Sequence, residues 1–348
     1  MVKLTLVIAA TLGAASAAQA QAQFHSDRLS SDHLSVMAPS ARVNGAPGDM
    51  RIVETSCPSL PMADARRRIL NIAVQEWGFF GFNVLDQTSL EESDSRDRSR
   101  RRGSRLSPEE SARVADSIAG YWSITSDGDW ILRRQNAVWK GFSGVTARWR
   151  DPWSAAFISW VMCEGGFGEL SQFRRAIAHH SYIDQAIEAR DDGRSKAAYV
   201  AHDVGELPLE PGDLVCSARR AAYRSIADRA ENIGDGIRSH CDIVMKVDEP
   251  KDRILVIGGN VRGAVRLKLF AATFDRGSGP EPLVRSVGRG RRTIFAHLKL
   301  RADSIEAEAF ENSPTMRALS EQGGDPAWLR HRLQTEASSV LDQHYSLR

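Results

Sequence analysis

Asp151-Pro152-Trp153-Ser154-Ala155-Ala156-Phe157-Ile158-Ser159-Trp160 is the stretch that decides how this chain is read. Asp151 suits a helix N-cap and Pro152 the first helical position. Ser154 then falls in the first turn, where unbonded backbone N–H groups and the positive end of the helix dipole gather. A nucleophile placed there gains stabilisation of its anionic form. Small Ala155 and Ala156 leave room beside it, while Phe157, Ile158 and Trp160 can anchor the helix in a core.

Two segments downstream carry polar residues of matching chemistry. Ser239-His240-Cys241-Asp242-Ile243-Val244 and Ile254-Leu255-Val256-Ile257-Gly258-Gly259-Asn260 read as strands joined by a turn at Glu249-Pro250-Lys251-Asp252. Counting back equally from that turn sets His240 opposite Asn260 or its neighbour. Directly opposed residues of an antiparallel pair share a face, with Cβ atoms ~5 Å apart. Asp242 lies two residues from His240 and shares that face.

The first segment resembles the active-site helix of the CHAP amidases and NlpC-type cell-wall peptidases, whose pattern is Trp-Cys-Ala-x-Phe-Val-x-Trp. The family's Gly-His-x-Gly-Ile-Val strand is similar to Ser239–Val244, its later Gly-Asn to Gly259-Asn260, and its Pro-Gly-Asp-Leu-Val strand to residues 211–215. The resemblance covers roughly residues 150 to 270. It implies an α+β fold with a papain-like (NlpC/CHAP-type) core: a small antiparallel sheet packed on the nucleophile helix, with added N- and C-terminal helices. It further implies a Cys-His-Asn type of site, here occupied by Ser154, His240 and Asn260. Residues 151–160 are also similar to an uncharacterised bacterial family known only as a domain of unknown function.

Serine in the cysteine position changes the chemistry. A thiol ionises with modest help, whereas serine needs a general base and support for the imidazolium that forms. Asp242 can supply that support, and Asp151 is a second option. No other cysteine stands in: Cys163, nine residues on, faces the opposite side of the helix from Ser154, and Cys241 alternates with His240. Three functions therefore stand. One is an amidase or peptidase acting on peptidoglycan or another cell-envelope amide, using Ser154, His240, Asn260 and Asp242, with Trp149, Asp151 and Trp153 contacting substrate. The second is a degenerate module that binds cell-wall peptide or glycan without cleaving it. The third is a hydrolase or transferase acting on another amide or ester. His179-His180 and the pair His202 and Glu206 offer no third metal ligand, so neither metal nor cofactor is expected.

The chain of 348 residues is 42% hydrophobic and 26% charged, as globular proteins are. Its net charge of +2 argues against a nucleic-acid binder. Lys3, a short apolar run and Ala18-Gln19-Ala20 read as a signal peptide over 1–22, so a periplasmic or secreted location is expected, with no transmembrane segment. Residues 23–60 read as extended or disordered. Residues 61–150 form a helical extension in which Ser107-Pro108-Glu109-Glu110 is a capping box. Within it, residues 88–106 make a basic linker, read as solvated, with contact to an anionic polymer or lipid as its functional alternative. The α+β domain is placed at 151–300 and a helical tail, with Asp325 as cap, at 301–348. Cys57, Cys163, Cys216 and Cys241 allow three disulfide connectivities or reduced buried thiols. The oligomeric state is not legible.

Overall fold

Long runs of β-branched and aliphatic residues such as Ile254-Leu255-Val256-Ile257 bury both faces of a strand, and that double burial builds a barrel here. The computed structural model describes residues 26–30, 33–88, 106–193, 195–218, 222–275, 277, 283–289 and 292–321. Six antiparallel strands close on one another: β5 (Leu214–Ala218), β6 (Ser239–Asp248), β7 (Arg253–Val261), β8 (Ala264–Asp275), β9 (Leu283–Arg289) and β10 (Arg292–Leu300). Neighbours run β8-β7-β6-β5-β10, and β9 pairs with both β10 and β8 to complete the ring. Two short strands extend it: β3 (Val84–Gln87), parallel to β8, and β4 (Tyr199–His202), antiparallel to β10.

This corrects the expectation of a papain-like core with a small sheet on one helix. The difference lies in β9. Its sequence, Leu283-Val284-Arg285-Ser286-Val287-Gly288-Arg289, is half polar and resembles a loop. Val284 is nevertheless fully buried. Register shifts occur between Val244 and Lys246, Gly258 and Val261, Thr273 and Phe274, and Ile294 and Ala296. Such bulges bend and twist strands, which closure of a sheet into a barrel requires.

The two faces of the strands serve two cores. Val215, Val244, Ile254, Val256, Phe270, Val284 and Ile294 come from all six barrel strands and fill its interior. The outward residues, Ile243, Met245, Leu255, Ile257 and Leu267 among them, join a larger core shared with the helices. Those helices are α1 (Ala65–Phe79), α2 (Pro108–Arg113), α3 (Ala115–Trp122), α4 (Gly128–Trp139), α5 (Ser154–Glu164), α6 (His180–Asp191), α7 (Ile226–Ala230) and α8 (Pro314–Glu321). Helix α5 packs on β6 and β7 and against α1 and α3. Met62, Ala65, Ile69, Ile72, Ala73 and Trp77 follow helical spacing, and α1 is found there; the Ser107 cap is present as well, with Ser107 Oγ accepting the Glu110 N–H. Asp127-Gly128-Asp129 has the composition of a turn, yet α4 starts at Gly128. Residues 169–190 read as a helical stretch after Gly165-Gly166, but α6 begins only at His180.

Residues 33–60 hold little regular structure beyond a hairpin of β1 (Val43–Asn44) and β2 (Arg51–Ile52). They are tied down all the same. Buried Arg42 pairs with Glu164 at the end of α5, the Met37 N–H donates to the same carboxylate, and Cys57 is bonded to Cys163. The second disulfide joins Cys216 and Cys241, which face each other across β5 and β6. The expected signal peptide, all but the edges of the expected basic linker, and the expected helical tail from Asp325 fall on residues outside those described. Among the described residues, no helix is long and apolar enough to cross a membrane.

Candidate functional site

Ser154 is the first residue of α5, and its backbone N–H is one of the free donors of that helix end. The cap differs from expectation: the N-cap position falls on Trp153, without a side-chain cap, while Asp151 lies 3.6 Å from Arg134. Trp153 is buried against Phe80 and Tyr121, which fixes the start of the helix. Ser154 itself is partly exposed.

Its hydroxyl bonds to a histidine that sequence reasoning set aside. Ser154 Oγ lies 2.7 Å from Nε2 of His179, just before α6. On the other side of that ring, the Cys241 backbone N–H donates to Nδ1 over 3.2 Å, and the Tyr182 hydroxyl also meets Nδ1. Burial, and after it the charge of Asp242, pushes the Tyr182 phenol well above its usual range, so it stays protonated. A backbone N–H can only donate, so Nδ1 carries the lone pair and the neutral ring carries its proton on Nε2. His179 therefore presents an N–H to Ser154.

His240 stands beside this pair, its ring centroid 5.1 Å from that of His179. Its Nε2 lies 2.8 Å from Asp242 Oδ1. Lys268 of β8 pairs with the same carboxylate, and its Nζ is 3.3 Å from His240 Nε2. Asp242 and Lys268 are wholly buried, and burial of a charge requires a partner. Each supplies the other's. The barrel makes room through Gly258, where a Cβ would stand 2.0 Å from Asp242 Oδ1. Its neighbour Gly259 lets α5 approach β7, since a Cβ there would lie 2.5 Å from that of Phe157. With Nε2–H given to Asp242, the His240 lone pair sits on Nδ1, the arrangement of a carboxylate-oriented base.

The structure thus joins His240 with Asp242 and joins Ser154 with His179. Asn260 lies near the end of β7. It adopts a left-handed conformation, φ 55°, and lines a cleft with Trp149 and Trp153. The cleft has a volume of about 290 Å³, and Ser154 is not in its wall, though Trp153 is. His202 bonds to Glu206, which is also held by Arg190, and among the described residues no group of three potential metal ligands forms. His179 and Lys268 are the members of this cluster that the sequence hid. His179 stands in a His-His pair that signals nothing by itself, and Lys268 is one lysine within an apolar strand.

Residues 109–279 match a bacterial family described as "Uncharacterized protein conserved in bacteria (DUF2272)". That span runs from α2 to the end of β8 and contains Ser154, His179, His240, Asp242, Asn260 and Lys268. No curated protein and no solved structure matches the chain.

Proposed function

We propose that this protein is an exported cell-envelope hydrolase that cleaves an amide or ester of peptidoglycan through Ser154. One observation carries the reading: a helix N-terminal serine hydroxyl sits 2.7 Å from the Nε2 of one imidazole, whose ring neighbours a second imidazole held by a buried carboxylate. Acyl transfer needs those parts: a nucleophile, a base with an orienting acid, and a donor to developing negative charge. In this assignment His240, oriented by Asp242, receives the Ser154 proton. His179 donates its Nε2–H, and Lys268 pairs with Asp242. The two disulfides suit an oxidising compartment. Peptidoglycan as substrate rests on the likeness of Asp151–Trp160 and Ser239–Val244 to the cell-wall amidase motifs, not on the fold.

A second reading is favoured by the Cys241 contact. A donor, not a base, faces Ser154 at rest, which suits a module that holds cell-wall peptide or glycan without cleaving it. Incubating the purified protein with peptidoglycan sacculi and analysing the soluble fragments separates the two. Fragments released by the wild type and absent with Ser154→Ala support the hydrolase. Sedimentation with sacculi and no release supports the binding module, and neither binding nor release overturns both.

A further inference from the structure

The cleft beside Trp153 has a wall that the reaction scheme leaves unused. It runs between α2 and α3 on one side and the tip of the β7–β8 hairpin on the other, and it carries Arg148 and Arg262 among apolar Leu106, Val114 and Ile118. We propose that this cleft binds a carboxylate-bearing side arm of a peptide substrate, with Arg262 and Arg148 as its cationic partners and Trp149 and Trp153 as its walls. The assignment deepens the envelope-hydrolase reading and rests on it for the position of the bond to be cut.

The hairpin turn supplies the first argument. Val261 pairs with Ala264, so Arg262 and Gly263 alone form the turn, with φ of 57° and 87°. Two positive φ values define the I′ type of turn, for which Asn-Gly is the favoured sequence. Arginine at the first of these positions goes against local preference, and Asn260 two residues earlier is left-handed as well. Departures from local rules cluster where a residue is needed for what its side chain does.

Charge supplies the second argument. Arg266, buried behind the turn, donates from Nε to the Val261 carbonyl at 2.9 Å and holds the hairpin in place. Its burial and then the charge of Arg262 lower the Arg266 pKa to about 10. Two guanidiniums, the buried one of Arg266 and the partly exposed one of Arg262, thus stand at the tip of the hairpin beside the cleft, a concentration of positive charge that attracts an anion. A planar guanidinium fork matches a carboxylate in two parallel hydrogen bonds.

Size gives the third. About 290 Å³ falls at the lower edge of small-ligand clefts. It admits one side arm of a peptide, not a polymer strand.

The test uses the full mature chain carrying Ser154→Ala, so that binding is read without turnover. Two N-acylated glutamyl peptides, identical except that one carries the free side-chain carboxylate and the other its carboxamide, are titrated by calorimetry. The carboxylate form is expected to bind about tenfold tighter, as a charge-assisted pair should. Arg262→Asn, which suits the turn, and Arg148→Gln are expected to reduce that preference towards unity, and Arg262→Lys to retain part of it. Inorganic phosphate serves as competitor. Equal binding of the two peptides overturns the proposal, as does an unchanged preference in both arginine variants, or phosphate binding tighter than the carboxylate peptide. A chain that shows the preference yet releases nothing from sacculi keeps the cleft assignment and removes the hydrolase.

Discussion

The Cys241 backbone N–H donates to Nδ1 of His179 across 3.2 Å, and this contact fixes which proton faces Ser154. It also binds the loop before α6 to strand β6, next to the Cys216–Cys241 disulfide. The resting site therefore holds Ser154 against a donor while a separate imidazole, His240, is held by an acid.

Ser154→Cys creates a free thiol in a chain whose four cysteines are otherwise paired. A thiol at a helix N-terminus facing an imidazole N–H is expected to ionise below the ordinary ~8.5. Its alkylation by iodoacetamide as a function of pH should show a midpoint at least about one unit lower. An ordinary midpoint would mean that neither the helix end nor His179 stabilises an anion at this position.

Lys268→Met removes one member of a buried ion pair and leaves Asp242 without that compensation. Breaking such a pair costs about 3–5 kcal/mol, whereas replacing both members by apolar groups is often neutral. Urea unfolding should therefore show a large loss for Lys268→Met and substantial recovery in the Asp242→Leu/Lys268→Met double variant. Comparable losses in single and double variants would show that the pair contributes through packing instead.

The disulfides close chain segments of 106 and 25 residues. Loop-closure entropy assigns about 5 kcal/mol to the first and about 3.5 kcal/mol to the second. Cys57→Ala/Cys163→Ala should accordingly lower the unfolding free energy more than Cys216→Ala/Cys241→Ala does. The reverse order in equilibrium unfolding would place the dominant effect in the packing around β5 and β6.

Asp213 lies in a buried network with His297 Nε2 at 2.8 Å and Arg66 Nη1 at 2.7 Å. Burial opposes its ionisation, but His297, Arg66 and Lys299 outweigh burial and hold the carboxyl below the usual range. A carboxyl with a depressed native pKa stabilises the fold above its unfolded pKa of ~3.9, and that stability is lost as pH falls through the native value. The wild type should thus lose stability below about pH 4, and Asp213→Asn should be less stable near neutrality with a flatter acid limb. Parallel acid limbs in thermal melts would remove Asp213 from the network's energetics.

The helical spacing from Met62 to Trp77 and the Ser107 cap announce α1 and α2, the turn at Pro211-Gly212-Asp213 announces β5, and the apolar runs at 240–247, 253–258, 264–270 and 292–299 announce β6, β7, β8 and β10. The barrel was not legible. Closure depends on β9, whose alternation of Val284 with Arg285 and Ser286 is too short and polar to announce a strand. At the site, Asp242 beside His240 followed from strand parity alone. His179 did not, because its placement depends on how the chain from Gly165 to His180 folds back over α5, and no local pattern encodes that path. Lys268 reaches Asp242 only through the register of β6, β7 and β8, two hairpins apart in the chain.

The two histidines should separate in function. If His179 donates and His240 accepts, the substitutions that spare each differ. Glutamine carries an amide N–H, so His179→Gln can keep a donor near Ser154. At position 240 a glutamine carries no basic nitrogen, and the proton from Ser154 has no acceptor of suitable pKa. Losing a general base costs about 10²–10⁴ in rate, and losing one oxyanion donor about 10²–10³. With an activated ester as substrate, His240→Gln should fall by the full base contribution, while His179→Gln should retain clearly more activity than His179→Ala. The pH profile of kcat/KM should lose its lower limb, set by a protonating imidazole, only in the His240 variant. If His179→Gln matches His179→Ala and removes that limb, then His179 is the base, its ring must flip tautomer against the Cys241 amide during turnover, and the assignment of the two imidazoles is reversed.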